Sequence, residues 1–157
     1  MLTGQEFAIP SIPADTAELA RAILPVDNTY LATGDRLEEL LDRVDLSGLY
    51  SPDDAPPVPA NILLMTTILQ YMEGLSDSQV AEQVRVRIDW KYALRLPLTD
   101  TGFEEEVLTD FRQRLISQRT GLEMFHCVLV RLVELNLCYR WGELDLIPDA
   151  FQELDEL

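Results

Sequence analysis

The chain has 157 residues, of which 47% are hydrophobic, so it is long enough for one globular domain with a substantial core. Its net charge of −16 argues against binding that depends only on neutralising phosphates. No apolar run reaches the roughly 18 to 20 residues that span a bilayer, and the first residues lack a signal-peptide pattern. Cys127 and Cys138 lack the paired spacing of a zinc site. We therefore expect a cytoplasmic protein with reduced thiols, no cofactor, no membrane contact and no small-molecule substrate.

The sequence divides into three parts. Residues 1–13 hold two prolines and few apolar anchors, which is typical of an extended N-terminal arm. Residues 14–138 show helical periodicity and no β-type alternation, so we predict an all-α, multi-helix bundle. Residues 139–157 are predicted to be an acidic C-terminal tail.

In chain order, a short helix is predicted from Ala14 to Leu24, ended by Pro25. Its expected inward residues are Ala17, Leu19, Ala20, Ile23 and Leu24. Residues 27–28 have turn chemistry, and an amphipathic helix is predicted from about Asp35 to Val44. The proline-rich residues 51–59 indicate a stiff connection to the next helix.

A helix from Ile62 to Met72 is apolar on every side, which is typical of a core helix. Gly74 follows as a C-terminal cap. Ser76 and Gln79 then have the spacing of a capping box, so a second helix is expected to begin at once. Two helices joined by a three-residue turn give the sequence pattern of a helix-turn-helix.

Positive charge is concentrated after this pattern. Residues 85–119 carry seven basic and six acidic groups, whereas the net charge is −11 over residues 1–84 and −6 over residues 120–157. If residues 86–96 form one helix, its basic side chains recur every four residues on one face. The candidate DNA-binding residues are Arg85, Arg87, Lys91, Arg95, Arg112 and Arg114. The alternative is that these residues form a solvated face and the helical hairpin is only a packing unit.

Further along the chain, Thr101 and Glu104 have capping-box spacing, and a helix is predicted to run to about Ser117. Its expected buried residues are Phe103, Val107, Leu108, Phe111 and Leu115. Gly121 is predicted to separate it from a very apolar helix, Leu122 to Leu137. Because that helix is more apolar than one neighbouring helix can cover, we predict a homodimer.

Several sequence blocks point to a known family: Leu69-Gln70, GLSDSQVAEQVRVRIDWKYAL at 74–94, LTD at 98–100, GF at 102–103 and VLTDFRQRL at 107–115. Over roughly residues 10–138 the chain resembles the N-terminal domain of bacterial insertion-sequence transposases of the InsH-like, DDE type. The resemblance implies a helical region that precedes an RNase-H-like catalytic domain and serves in transposon-end recognition or assembly.

The chain departs from that family in three places. Residues 139–157 replace a basic segment with an Arg-Thr-Asp-Ser-like motif, and Asp145 lies near the expected catalytic position without that motif. Glu104, Glu105 and Glu106 replace an Asp-x-Ser-like start, and an acidic proline-rich linker replaces a more basic one. Because the other two acidic residues of the triad would lie beyond Leu157, we expect no enzymatic activity and no bound metal.

Two functional hypotheses follow. The first is a non-catalytic, transposase-derived domain that binds double-stranded DNA, recognising transposon ends or regulating a full-length transposase, as a homo-oligomer or with a related transposase chain. The second is an acidic helical module for protein–protein interaction or dimerisation that has lost DNA binding.

Overall fold

The computed structural model describes residues 9–137, and all regular secondary structure in that range is helical. The helices are α1 (Ala14–Ile23), α2 (Thr29–Asp35), α3 (Leu37–Leu41), α4 (Ala60–Glu73), α5 (Asp77–Val86), α6 (Ile88–Ala93), α7 (Glu105–Ser117) and α8 (Arg119–Glu134). A 3₁₀ turn, Pro52–Asp54, lies in the proline-rich connection. The prediction of an all-α bundle is confirmed.

Some predictions fall outside the described residues. They are the acidic tail at 139–157, the positions of Cys138 and Asp145, and most of the N-terminal arm at 1–13. Within residues 9–137, no helix is both long enough and apolar enough to cross a membrane.

Helix α4 lies at the centre of the core, as its apolar sequence predicts. All ten residues from Asn61 to Gln70 are buried. The hydroxyls of Thr66 and Thr67 donate hydrogen bonds to the carbonyls of Ile62 and Leu63, at 2.7 and 2.8 Å. Both buried hydroxyls are therefore satisfied inside the helix, and other helices can pack around it without leaving them unpaired.

The turn between α4 and α5 has the predicted caps. Gly74 ends α4 in the left-handed conformation, with φ of 66°. The Ser76 hydroxyl accepts a hydrogen bond from the Gln79 backbone, and the Gln79 side chain accepts one from the Ser76 backbone. Val80 and Val84 are fully buried on the inner side of α5. Local capping therefore determines where α4 ends and where α5 begins.

Asp77, the first residue of α5, ties that helix to α4 and α7. The Arg112 guanidinium donates to both carboxylate oxygens, at 2.6 and 2.5 Å. Gln70 and Thr109 each donate to the same carboxylate at 2.8 Å. The Arg112 and Asp77 side chains are only 10% and 17% exposed, so this is a largely buried bidentate pair, which we call the Asp77 clamp.

Helix α2 was not predicted from the sequence. The Asn28 side chain accepts hydrogen bonds from the backbone of Tyr30 and Leu31, at 2.9 and 3.2 Å, and so begins a helix directly after the expected turn. The single helix predicted from Asp35 to Val44 is instead the short α3, which ends at Leu41.

Helix α2 packs very closely on α6 at Gly34. A Cβ atom at this position would lie 2.6 Å from the carbonyl oxygen of Tyr92 and 2.6 Å from its ring. The buried Tyr92 in turn donates its hydroxyl to Asp35 and accepts from Arg21, at 2.7 Å for the nearer nitrogen. Glycine is therefore required here by space, because any side chain would push the two helices apart.

The predicted inward face of α1 is partly wrong. Ala20 is fully buried against Tyr92 and Leu31, as expected. Leu19 and Ile23, however, face solvent and are 38% and 57% exposed. The helix turns its small residues toward α6 and two of its larger aliphatic residues outward.

Two predicted boundaries in the second half are also wrong. Helix α7 begins after Glu104, whose side chain makes no capping hydrogen bond, so the Thr101 capping box does not form. Gly121 does not separate two helices, because α8 already begins at Arg119. A Cβ at Gly121 would lie 2.6 Å from the Leu115 carbonyl oxygen, so this glycine allows α8 to cross the end of α7.

Helix α8 buries its apolar side within the same chain. Phe125, Val128, Leu129 and Leu132 are buried, and α8 packs on α3, α4 and α7. Val130 is its one large apolar side chain, among the described residues, that is substantially exposed. The reason given for a homodimer, an uncovered apolar α8, is therefore wrong, and the oligomeric state itself stays a prediction.

We predict that Gly34→Ala lowers the free energy of unfolding by about 3 kcal/mol, because the added methyl overlaps backbone atoms that cannot rotate away. Urea denaturation followed by circular dichroism measures this change. Gly48→Ala is the matched control, because its Cβ would lie 3.9 Å from the nearest atom, on Gln118, in ordinary contact. Equal stability of the two variants would show that α2 and α6 do not approach this closely.

The Asp77 clamp predicts a pH-dependent stability. The hydrogen bonds from Arg112, followed by those from Gln70 and Thr109, lower the pKa of Asp77 from 3.8 to about 2. Because the folded pKa lies below the ordinary value, the ionised carboxylate stabilises the fold above about pH 4, by about 2 kcal/mol. That contribution is lost as the pH falls from about 4 to 2.

We therefore expect Asp77→Asn to be less stable at neutral pH and to show a flatter stability curve between about pH 4 and 2 than the original chain. Asp110→Asn is the control, because Asp110 is half-exposed in its pair with Arg114 and should contribute less than about 1 kcal/mol. Parallel curves for Asp77→Asn and the original chain would contradict a lowered pKa.

Candidate nucleic-acid interface

Residues 86–96 do not form one helix. Arg87 adopts an extended backbone, with φ of −93° and ψ of 125°, and separates α5 from α6. Arg95 lies beyond the end of α6 with φ of 56°, in the left-handed region. The expected row of Arg87, Lys91 and Arg95 on one exposed helical face is therefore wrong, and each side chain takes a different direction.

Arg87 is fixed by two carboxylates and two aromatic rings. Its guanidinium donates to Glu73 at 2.6 Å and to both oxygens of Asp89 at 3.0 and 2.7 Å. The guanidinium carbon lies 5.0 Å from the Trp90 ring centre and 5.6 Å from that of Tyr30. The side chain is a quarter exposed, so most of its donors are used inside the protein.

Glu73 is the acceptor shared by this group, which we call the Glu73 cluster. Besides Arg87, it accepts a hydrogen bond from the Trp90 ring nitrogen at 2.9 Å and another from the Tyr30 hydroxyl. Burial acts to raise the pKa of Glu73, but the hydrogen bonds from Arg87, Tyr30 and Trp90 outweigh it and lower the pKa. Burial together with Glu73 raises the pKa of Tyr30. The carboxylate therefore stays ionised and holds α2, α4 and α6 together.

Lys91 is buried, and its ammonium group donates to the carbonyl of Asp100 at 2.5 Å. Burial lowers the pKa of Lys91, and the nearby Asp100 charge acts in the opposite direction. The side chain closes the loop that connects α6 to α7. It presents no charged group to a ligand outside the protein.

Arg95 is a buried connector between the end of α6 and the N-terminal part of the chain. It donates twice to the carbonyl of Gly34, at 3.0 and 2.8 Å, and once to that of Pro10, at 2.9 Å. It also pairs bidentately with Glu38, at 2.7 Å for one contact. The side chain is only 5% exposed. These contacts offset the cost of a non-glycine residue in the left-handed region.

The two arginines of α7 are also engaged. Arg112 is held in the Asp77 clamp. Arg114 donates to Asp110 at 2.8 Å and to the Leu49 carbonyl at 3.2 Å, pairs with Asp54, and lies over the Tyr50 ring. It therefore fastens the proline-rich connection to α7.

Arg85 differs from the other five candidates. It is exposed on the outer side of α5, where its guanidinium donates to the carbonyl of Thr101 at 3.3 Å. Ser78 and Glu82, at helical spacing from Arg85, are exposed on the same side. Arg85 makes no ion pair with any described residue.

The acceptors that engage these cations were not predicted. Glu38, Glu73 and Asp77 are distant in sequence from Arg95, Arg87 and Arg112, so no local spacing indicates the pairs. The exception is the pair of Asp110 and Arg114, whose spacing of four residues in α7 indicates a contact from the sequence alone.

Side chains of the types that bind metal ions do not come together as a metal site among the described residues. Within residues 9–137, no group of three or more histidine, cysteine, aspartate or glutamate side chains is arranged to hold a metal ion. Glu104, Glu105 and Glu106 are all exposed at the start of α7, where the helix dipole favours negative charge.

The family model "Transposase domain (DUF772)" matches residues 21–114, more than half of the chain and all six candidate residues. Searches of curated proteins and of solved structures found no match. The chain therefore belongs to the DUF772 transposase-domain family.

Proposed function

We propose that this domain takes part in transposition by binding protein, as an assembly or regulatory module, and that its basic side chains stabilise its fold instead of contacting DNA. Family membership supports the relation to transposition. The observation that supports a structural role for the basic side chains is that the candidate DNA-binding residues contact acceptors within the same domain. Five of the six are buried or half-buried and engaged by carboxylates or carbonyls of the same domain, whereas Arg85 is exposed and donates to the Thr101 carbonyl at 3.3 Å.

The free energy of the buried ion pair favours keeping Arg112 in the Asp77 clamp. Breaking a buried ion pair by removing one partner costs about 3 to 5 kcal/mol, because the other charge stays buried without compensation. A hydrogen bond to a charged group contributes only about 1.5 to 3 kcal/mol net. Moving Arg112 from Asp77 to a phosphate would therefore cost more than the new contact returns.

Long-range charge acts in the same direction. The net charge of −16 repels a polyanion at long range. DNA-binding domains gain affinity by releasing counterions from several neutralised phosphates, and this requires several accessible cations. The same acidic surface favours a basic protein partner, since opposite charges accelerate association and select the partner.

A second candidate function is DNA recognition through α5. It is favoured by the exposed position of Arg85, because arginine is the side chain that most often reads guanine edges in the major groove. Helix α5 is also the second helix of the hairpin, the position of a recognition helix. This candidate requires the remaining affinity to come from another chain.

The two candidates predict different DNA binding. We expect no sequence-specific binding to a duplex with transposon-end repeats, measured by fluorescence anisotropy at about 50 mM salt, where phosphate contacts are strong. Arg85→Ala and its control Arg43→Ala, an exposed arginine of the α3–α4 connection, should behave alike. Specific binding that Arg85→Ala weakens and Arg43→Ala does not would establish the DNA-reading function instead.

A second measurement tests the positive half of the proposal. A full-length transposase of the same family, mixed with this chain, should form a complex in analytical ultracentrifugation. DNA-independent complex formation is the expected result. Absence of a complex, with or without DNA, would contradict the proposal.

The structural role of the buried arginines is tested separately. We expect Arg112→Ala to lower the free energy of unfolding by about 3 kcal/mol, because it leaves Asp77 charged and unpaired. Arg85→Ala should change it by less than about 0.5 kcal/mol, as is usual for surface sites. Urea denaturation compares the two variants. An equally small effect at both sites would show that Arg112 does not hold the fold.

A further inference from the structure

Helix α1 presents an apolar face to solvent that its own fold does not use. Leu19 and Ile23 lie four residues apart, so they are neighbours on one side of the helix, and they are 38% and 57% exposed. Val26, in the turn after the helix, is fully exposed. We call these three residues the α1 face.

Helix α1 buries its small side chains and exposes its larger aliphatic ones, which is the opposite of the usual arrangement in a helix that packs on a core. Thr16 and Ala20, which have small side chains, are fully buried, and the Thr16 hydroxyl donates to the Leu96 carbonyl at 2.7 Å. The inward side is small because α1 lies close to α6. The larger aliphatic residues therefore remain outside, where a row at helical spacing matches the apolar side of another helix.

The charges beside this face are acidic. Asp15, Glu18 and Asp27 are exposed, and none of them forms an ion pair with another described residue. The nearby cation, Arg21, is directed toward Tyr92 and Asp35. A partner with lysine or arginine beside its apolar residues would complement this rim, whereas a second copy of the acidic face would bring like charges together.

We infer that the α1 face is a docking site for a basic amphipathic helix of a partner protein. Aliphatic residues of that helix pack on Leu19, Ile23 and Val26, and its lysine or arginine residues lie opposite Asp15, Glu18 and Asp27. This assignment rests on the proposed protein-binding function and gives it a surface and a partner chemistry.

The test uses two synthetic helical peptides of about 18 residues, long enough to form helix on binding. Both carry leucine at helical spacing, and one has lysine and the other glutamate beside the leucines. Fluorescence anisotropy with the full chain at about 50 mM salt measures affinity, because exposed charges interact strongly at low salt. The lysine peptide is expected to bind and the glutamate peptide is not.

Matched variants locate the binding. Leu19→Asn/Ile23→Asn should weaken the lysine peptide about tenfold or more, since both side chains lose apolar contact. The control, Val130→Asn/Val86→Asn, changes residues that are 38% and 60% exposed on other helices and should leave the affinity unchanged. Asp15→Asn/Glu18→Gln should weaken binding at low salt only, and Glu105→Gln/Glu106→Gln should have a smaller effect.

Three results would overturn the inference. Equal effects of the α1 variants and their controls would mean that the peptide binds the acidic surface without a specific site. Concentration-dependent self-association that Leu19→Asn abolishes would assign the face to a second copy. A larger loss of thermal stability in Leu19→Asn/Ile23→Asn than in Val130→Asn/Val86→Asn would mean that another segment of the same chain covers it.

These outcomes separate the site from the proposed function. If the α1 variants still form a complex with the full-length transposase, the function holds and another surface carries it. If the chain proves to read DNA through Arg85, the function fails while the peptide result is unaffected, because Arg85 lies on α5.

Discussion

The last turn of α4 is where the core becomes polar, and the carboxylate of Glu73 is the central group there. A negative charge at a helix C-terminus is disfavoured by the helix dipole. Glu73 is stable in this position because Tyr30, Arg87 and Trp90 donate to it from α2, from the α5–α6 junction and from α6. One turn earlier, Gln70 donates to Asp77 and so connects with the clamp. The directions of α5 and α6 are therefore set by hydrogen bonds to the end of the core helix.

This arrangement changes what the concentration of positive charge between residues 85 and 119 means. Counted along the sequence, that region has a net charge of +1 in a strongly acidic chain. In the folded domain most of its cations pair with carboxylates from elsewhere in the chain, such as Glu38, Glu73 and Asp77. A small domain with many acidic residues needs such pairs to bury its polar groups. Local charge in the sequence is therefore not the same as accessible charge on the surface.

The features that could be predicted from the sequence are those that depend on interactions between residues close together in the chain. The apolar α4, the Gly74 cap and the Ser76 capping box depend on neighbouring residues, and all three are confirmed. The break at Arg87 depends on distant contacts, and neither glycine nor proline marks it. The α1 orientation could not be derived either, because alanine and leucine both count as apolar in a periodic pattern. The close approach of α1 to α6 leaves room only for small side chains, so alanine faces inward and leucine faces outward.

The candidate DNA-binding residues also divide into those whose positions follow from local spacing and those whose positions depend on distant contacts. The exposure of Arg85 is the part that local spacing explains, since its position relative to the buried Val80 and Val84 follows from α5 alone. The positions of Arg87, Lys91 and Arg95 depend on acceptors up to 85 residues away in the chain. Sequence periodicity contains no information about such partners. It reports which residues can share a helical face, and only if that helix continues.

This dependence also determines how binding experiments on the domain can be interpreted. Replacing Arg87, Arg95 or Arg112 removes a positive charge and, at the same time, leaves a carboxylate or carbonyl inside the domain without its donor. A loss of DNA binding in such a variant would therefore be explained equally well by a lost DNA contact and by a destabilised fold. Arg85 and the α1 face are free of this ambiguity, because their side chains contribute little to the core. Substitutions there separate binding from folding, and these positions can therefore decide between a DNA partner and a protein partner.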